Sequence, residues 1–453
     1  MTEDKDKNEI SMLRSKMDSL NARIKELETQ NANLTSQLSL CRCPKNDANI
    51  DDTRSNHAIS DSKTDSGVKK LRKSKKKTPD LDLRALLHLP RRHIAFKVMY
   101  FGQRFYGFAS EAQLEPTVES ELFKAFQKTR LLLGDRKESQ YSRCGRTDKG
   151  VSATGQVIAL YVRSNLRAKT PSGEFNFEGQ YEDELDYVRI LNRVLPRDIR
   201  IISWCPVPAD FHARFSCLSR EYKYFFWEEN LNISAMQSAG KKFLGEHDFR
   251  NFCKMDAVHV HNYMRNVTSF DISPSTERWR GKELWVIKIR GSAFLWHQVR
   301  CMVAVLFMIG RGLESEEIID VLLNLEKTPK KPQYTMAPEM PLVLHSCEFK
   351  DLALSSAADA RQALCSHLEN ECHNLILQAA IYNDSLNCCS YTTDEGNDSL
   401  VKEISAKKYL HIPLMKRPTE PSYMERRAKL DSGAVKKGTG ELFLGAEPPE
   451  DGR

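Results

Sequence analysis

Residues 141–162, YSRCGRTDKGVSATGQVIALYV, constrain the fold most, because a polar, glycine-containing segment runs directly into an apolar one. Its last seven residues, QVIALYV (156–162), predict a buried β-strand. Asp148 lies just before that strand and is flanked by Arg146 and Lys149. Spacing alone leaves two interpretations open: an ordinary charged turn, or a loop that aims one carboxylate at a substrate.

The residue types around Asp148 favour chemistry at its carboxylate if they lie close to it in space. Neighbouring cations stabilise the ionised form of an acid, and an anionic carboxylate is a competent nucleophile toward an electrophilic carbon. Glycines at positions 145, 150 and 155 allow tight turns and the close approach of a ligand.

Composition indicates a soluble intracellular chain. Its 453 residues are 40% hydrophobic and 28% charged, with a formal net charge of +7, so a basic binding surface requires local clustering. The 12 cysteines include no C-x-x-C pair, which predicts reduced thiols and no metal site. The amino terminus is polar, unlike a secretory signal, and the longest apolar run, 301–310, is too short to span a bilayer.

Two segments precede the predicted globular domain. Apolar residues repeat at three- and four-residue spacing from Ile10 to Leu38. This pattern predicts a coiled-coil helix over 1–40 that forms a parallel dimer, although an amphipathic helix lying on its own domain has the same pattern. Residues 41–90 are predicted to be a basic, disordered linker. Its run KKLRKSKKK (69–77) is compatible with a solvated segment, nuclear import or phosphate contact.

Residues 91–350 alternate between strand and helix patterns and define the globular domain. Several predicted strands lie close together in sequence, so we expect an α/β (α+β) fold with a mixed, mostly antiparallel sheet flanked by helices. The predicted strands are 93–101, 156–162, 199–204, 220–227 and 283–289, and helices fall within 116–134, 183–196, 293–310 and 315–325.

The remaining residues, 351–453, are predicted to form a C-terminal extension that is partly helical and partly disordered. A helix pattern covers 357–382, and a basic segment, 407–430, follows it. A solvated tail is the preferred interpretation of the basic segment, and an RNA-contacting or domain-packing extension is the alternative.

A second candidate segment is FHARFSCLSREYKYFF (211–226). Arg214 and Arg220 bracket a strand on which Tyr222 and Tyr224 share one face. This pattern fits either a core aromatic stripe or a surface that stacks on a nucleobase while cations hold phosphates.

A third candidate segment is GSAFLWHQVRCMV (291–303), in which Arg300 begins an apolar helix. An arginine there either extends to solvent or pairs with a buried acid. His297 is interpreted as a packing residue.

Together these segments resemble the TruA family of tRNA pseudouridine synthases. The motifs that carry the resemblance are, in order, GRTDKGVSATGQVIAL, FHARFSCLSREYKYFF, FLGEHDFRNFCKMD and AFLWHQVRCMVAVLFMIG, and they cover about 93–350. Cys144, FRNFCKMD and KPQYTMAPEMPLVLHSCEF resemble the eukaryotic branch that modifies positions 38 and 39 of the tRNA anticodon arm. Lys149 stands where bacterial members usually have alanine.

The resemblance implies two similar α/β halves around a basic cleft, a homodimer, no cofactor, and isomerisation of uridine to pseudouridine. It implies that Asp148 is the nucleophile, attacking either the base or the ribose carbon, and that Tyr222 packs against the target base. Arg300 would pair with Asp148 and orient it, and Arg146 would help to extrude the uridine. Arg214, in the basic aromatic segment, is assigned to substrate binding.

The predicted partner is therefore tRNA, at its anticodon stem-loop, in the nucleus and the cytoplasm and without membrane association. Two alternatives stay open: the same chemistry on other tRNA or small nuclear RNA sites, and a non-catalytic RNA-binding or RNA-chaperone protein. The presence of Asp148, Tyr222 and Arg300 together argues against the second, because binding alone does not need that acid.

Overall fold

The chain divides into two compact units, Met1–Lys76 and Lys77–Arg453. The computed structural model describes residues 17–19, 21–22, 25–26, 29–30, 90–110, 114–165, 184–390 and 411–437. In the first unit, the described residues are all helical. The other residues of the predicted coiled coil, and the basic run 69–77, lie outside the described residues.

A nine-stranded sheet organises the second unit. Its strands are β1 (Arg91–Tyr100), β2 (Ser142–Arg143), β3 (Ser152–Arg163), β4 (Ile199–Pro206), β5 (Cys217–Trp227), β6 (Gly245–Asp248), β7 (Met264–Trp279), β8 (Lys282–Gly291) and β9 (Leu342–Phe349). The strand order is β4-β1-β3-β9-β5-β8-β7-β6, and β2 pairs with β3. The β3–β9 pair is parallel and the other pairs are antiparallel. The predicted mixed, mostly antiparallel sheet is thus confirmed.

Helices accompany both halves of this sheet. They are α1 (Val118–Lys128), α2 (Tyr187–Asn192), α3 (Ile233–Lys241), α4 (Gln298–Gly310), α5 (Ile318–Leu323), α6 (Ala358–Ser390) and α7 (Tyr423–Lys437). Within the described ranges, the helices offer no segment both long and apolar enough to cross a membrane.

Among the described residues, three hydrophobic clusters form the core, and the two largest divide between the two halves of the sheet. The first combines apolar side chains of β1, β3 and β4 with those of α1 and α2. The second combines β5, β7 and β8 with α3, α4 and α5. Strand β9 contributes Leu344 to the first cluster and Leu342 to the second, and Tyr222 packs against both. Tyr222 therefore lies where the two halves of the sheet meet.

Helix α1 shows how local sequence sets an element's start and end. The Thr117 hydroxyl accepts a hydrogen bond from Ser120 N, and the Ser120 hydroxyl accepts one from Thr117 N, which satisfies two amides at the helix start. The helix ends at Lys128, before the predicted end at Gly134, because the chain turns at Thr129 and Arg130 takes a left-handed φ of 54°.

The segment that begins at residue 411 packs against the helices and loops of its own unit. Leu414 is fully buried, and Thr419 pairs with Pro332 in an isolated β-bridge. Glu420 lies 3.4 Å from the ammonium of the buried Lys331. A solvated tail is therefore the wrong interpretation for 411–420, because the fully buried Leu414 side chain is removed from water, which stabilises the docked segment.

Leu414→Ala is expected to lower the free energy of unfolding by about 2–5 kcal/mol, because it removes a fully buried leucine and leaves a cavity. Chemical denaturation of the full chain measures this loss. The matched control is Ile412→Ala, whose side chain is 53% exposed. Equal stability losses in the two variants would contradict the docking of this segment.

Candidate functional site

Asp148 lies in a loop, residues 144–151, that connects β2 to β3 and is anchored at several points. The Thr147 hydroxyl is 2.8 Å from the buried Tyr100 hydroxyl, and Phe108 N donates to Thr147 O at 3.1 Å. Gly150 N donates to Phe105 O at 3.3 Å. Because the residues on both sides of Asp148 are hydrogen-bonded to the fold, its backbone is held in one conformation.

The glycines at positions 145, 150 and 155 have different structural roles. Gly150 has a left-handed φ of 81°, and a Cβ there would lie 2.6 Å from Cγ of Glu339. Gly155 packs against the backbone of β9, where a Cβ would clash with His345 O. Gly145 has nothing within 4 Å of where its Cβ would lie. Two glycines are therefore required by the fold, and Gly145 leaves open space beside the loop.

The Asp148 carboxylate is contacted by two ring nitrogens. Nε1 of Trp296 donates to Oδ1 at 3.0 Å, and Nε2 of His297 lies 3.5 Å from Oδ2. The carboxylate side chain is 25% exposed. Since an indole N–H can only donate, Trp296 fixes Oδ1 as an acceptor while the other oxygen stays available to a ligand. Trp296 was not predicted from the sequence.

His297 owes its position to an unusual backbone conformation. Its φ of 62° is left-handed, and helix α4 begins only after it. Burial lowers the pKa of His297, and the charges of Arg300 and Lys254 lower it further against the opposing effect of Asp148. The ring is therefore neutral at neutral pH. His297, interpreted from the sequence as a packing residue, packs against the Trp296 ring and also lies beside the Asp148 carboxylate.

The predicted Arg300–Asp148 ion pair is not formed. Arg300 is buried, its Nη2 lies 2.7 Å from Oε2 of Glu339, and its Nε donates to Ala337 O at 2.7 Å. The acid that pairs with this guanidinium is therefore Glu339, which itself lies against Gly150 of the Asp148 loop. Arg300 instead fixes the segment before β9 and acts electrostatically on His297.

Tyr222, on β5, lies between the loop before α4 and the first half of the sheet. Its half-buried ring makes an edge-to-face contact with Phe294, with ring centroids 5.2 Å apart. Burial raises the pKa of Tyr222 well above its usual range, so the phenol stays neutral. Tyr222 thus presents a neutral aromatic ring where the two halves of the sheet meet.

Arg220 is buried and does not present its charge to solvent. Its Nη2 donates to Cys144 O at 2.9 Å and to Arg214 O at 3.0 Å, and its Nη1 donates to Ser292 O at 2.6 Å. The possibility that this arginine holds phosphates is therefore wrong. It joins the Asp148 loop to the segment before β5 and the segment after β8.

The surface around the loop carries exposed cations close to aromatic rings. Lys149 Nζ lies 4.6 Å from the Tyr106 ring centroid, and Lys254 Nζ lies 4.2 Å from that of Trp296. The Arg214 guanidinium lies 5.6 Å from the ring centroid of Phe215, which is 76% exposed. Arg146 is exposed as well. These are the side-chain types that bind phosphates and stack on bases.

Fold and site together define an α/β protein with one oriented, half-buried carboxylate on a basic, aromatic surface. A sequence profile described as tRNA pseudouridine synthase matches residues 239–350. Over 293 residues the chain is 32% identical to tRNA pseudouridine synthase A of Thermococcus sibiricus, covering 65% of this chain and 98% of that protein. The chain therefore belongs to the tRNA pseudouridine synthase family.

Eukaryotic relatives are more similar. The chain is 48% identical over 289 residues to human tRNA pseudouridine(38/39) synthase, covering 62% of this chain and 60% of that protein. It is 45% identical over 269 residues to the Saccharomyces cerevisiae protein of the same name, covering 58% of each. The chain thus matches about three fifths of the length of these relatives.

Arg220→Met is expected to destabilise the protein by about 3 kcal/mol or more, because it leaves three backbone carbonyls without their donor. The control is Arg214→Met, which replaces an exposed side chain and should stay within about 0.5 kcal/mol of wild type. Denaturant unfolding of both variants measures the difference. Equal stability of the two would contradict the anchoring role of Arg220.

Proposed function

We propose that this protein converts uridine to pseudouridine at positions 38 and 39 of the tRNA anticodon stem-loop, with Asp148 as the nucleophile. The names of its eukaryotic relatives support the substrate and the positions. The observation that carries the chemistry is the Asp148 carboxylate, with Oδ1 bound by Trp296 and the side chain still partly exposed.

The reaction is an isomerisation that balances without a redox carrier. The bond from ribose C1′ to uracil N1 breaks, the base turns, and C1′ bonds to C5. The C5 proton is lost to solvent, and N1 ends with a proton. The protein must therefore bind an extruded uridine, supply a nucleophile and keep the detached base in place.

Asp148 is suited to the nucleophilic step. Attack at ribose C1′ and attack at C6 of the base both need an accessible carboxylate oxygen close to the electrophilic carbon. Trp296 holds Oδ1, and the neutral His297 ring lies beside Oδ2 without the positive charge that would compete for the carboxylate. The anchored loop backbone reduces the cost of positioning the acid before RNA binds.

We assign the base contact to Tyr222 and an indirect role to Arg300. The half-buried Tyr222 ring is held edge-to-face by Phe294, so one side of a bound uracil would meet a rigid aromatic surface. Arg300 holds the segment containing Glu339 against Gly150. It therefore positions the Asp148 loop and does not pair with the acid itself.

RNA binding is assigned to the cation–aromatic pairs and to Arg146. Extruding a base costs a few kcal/mol, which phosphate contacts by Arg146, Arg214, Lys149 and Lys254 would offset. Exposed Phe215 and Tyr106 supply rings on which unpaired bases can stack. The homodimer and the location in nucleus and cytoplasm stay predictions.

Asp148→Asn is expected to abolish pseudouridine formation while leaving tRNA affinity close to wild type. An amide is a poor nucleophile but occupies the same volume, and loss of a covalent nucleophile lowers turnover by more than about a thousandfold. The measurement is release of tritium from tRNA labelled at uridine C5, alongside a direct binding assay.

The control for that variant is Asp271→Asn, which makes the same chemical change at an exposed position on β7. It should retain full turnover. Wild-type tritium release by Asp148→Asn would remove the catalytic assignment, and loss of tRNA binding would reassign Asp148 to RNA recognition.

Lys254→Ala is expected to weaken tRNA binding and to reduce the slope of log affinity against log salt by about one unit, as loss of one phosphate contact does. Lys282→Ala is the control. Lys282 is the first residue of β8, at the end of that strand remote from Gly291, and its ammonium group pairs with Glu229. Equal slopes for Lys254→Ala and wild type would exclude a phosphate contact by Lys254.

A further inference from the structure

Three cysteines that are far apart in sequence converge beside the Asp148 loop. Their Sγ atoms all lie within 4.8 Å of one another. Cys144 belongs to the loop itself, Cys217 begins β5 and Cys347 lies in β9. We propose that Cys144, Cys217 and Cys347 form a binding site for one thiophilic metal ion, Zn²⁺ or Cu⁺.

The spacing of the sulfurs fits a shared ion. A zinc–thiolate bond of about 2.3 Å places sulfurs that share a zinc roughly 3.8–4.0 Å apart. Closing the cluster from separations of 4.8 Å or less therefore needs movements of less than about 1 Å, within the reach of small side-chain rotations. Thiolate is the ligand type that selects zinc and copper(I).

The strand register does not place Cys217 and Cys347 directly opposite each other. Cys217 lies opposite Phe349, and Cys347 lies opposite Arg220, with a register shift between Cys217 and Ser219. One ion can bridge all three sulfurs at once, whereas a disulfide would join two of them and leave the third as a thiol.

The surroundings suit a charged thiolate cluster. Three thiolates with one divalent ion carry a net charge of −1, and the buried Arg220 guanidinium, whose Nη2 lies 2.9 Å from Cys144 O, is a nearby positive charge. Apolar side chains, including Ala95, Val157 and Ala213, surround the cluster, so water would compete weakly with the thiolates. Cys217 is only half-buried, which gives an ion a path of entry.

A bound ion would add a second fastening to the loop that carries Asp148. Arg220 already holds the carbonyl of Cys144, and the ion would hold its sulfur. The same ion would fasten the loop to β5, which carries Tyr222. Metal binding by these cysteines can be measured separately from the proposed activity, so either can be absent without the other.

The test is a metal titration of the full-length, reduced, chelator-treated protein. Co²⁺ is the first probe, because thiolate-bound cobalt gives a near-ultraviolet charge-transfer band and tetrahedral visible bands. Displacement by Zn²⁺ follows, and Cu⁺ is titrated separately against a chromogenic chelator, so the two arms distinguish the ions. We expect one equivalent per chain and, with zinc, a melting temperature higher by about 5 °C.

Cys144→Ser, Cys217→Ser and Cys347→Ser should each weaken binding by roughly a hundredfold or more, since each removes one ligand. Cys205→Ser is the matched control, because Cys205 is buried in the same apolar cluster outside the triad. A Cys41→Ser/Cys43→Ser double variant should bind as wild type. The melting temperature of Cys347→Ala without metal shows whether that variant still folds. If it does, its weaker metal binding is due to the lost thiolate.

Absence of the cobalt band from wild type, together with no binding of Cu⁺, would overturn the proposal. Unchanged metal binding in the Cys144→Ser, Cys217→Ser and Cys347→Ser variants would overturn it as well. If the metal-free protein loses two titratable thiols in air and binds neither cobalt, zinc nor copper, the cluster forms a disulfide and the metal site does not exist.

Discussion

The buried guanidinium of Arg220 is the contact on which the geometry of the site depends. Its hydrogen bonds reach the carbonyls of Cys144, Arg214 and Ser292, which belong to three separate segments of the chain. A buried charge is costly unless its donors are satisfied, so the three segments must meet wherever this side chain is buried. Strand β5, which carries Arg220 and Tyr222, thereby fixes the loop that carries Asp148.

Other side chains near Arg220 position the remaining parts of the site. Arg300 holds the segment before β9 through Ala337 and Glu339. Trp296 donates a hydrogen bond to the carboxylate of Asp148, and His297 lies beside it. Rigid supporting contacts of this kind keep a reacting group in place before the substrate arrives, which lowers the entropic cost of the reaction.

Much of the sheet could be predicted from the sequence, because β1, β3, β5 and β8 have strong apolar patterns. The polar strand β6, GEHD, gives no such signal, since the side chains of Gly245–Asp248 are exposed or only half-buried. Asp148 and Tyr222 were proposed as site residues from their motifs, and these roles stay predictions. Trp296 and His297 were missed as site residues, because only the left-handed backbone at His297 delays helix α4 and directs both rings to the carboxylate. The pairing of Arg300 with Glu339 and the convergence of the three cysteines depend on contacts between distant segments, which single-sequence patterns do not report.

We propose that the fold aims Asp148 at a uridine taken out of the RNA, and an experimental structure of the protein bound to a tRNA anticodon stem-loop tests this directly. We expect an extruded uridine with its ring against Tyr222 and with C1′ or C6 about 3–3.5 Å from a carboxylate oxygen of Asp148. A complex in which every uridine stays stacked, or in which the nearest uridine meets Glu339 instead of Asp148, would contradict it.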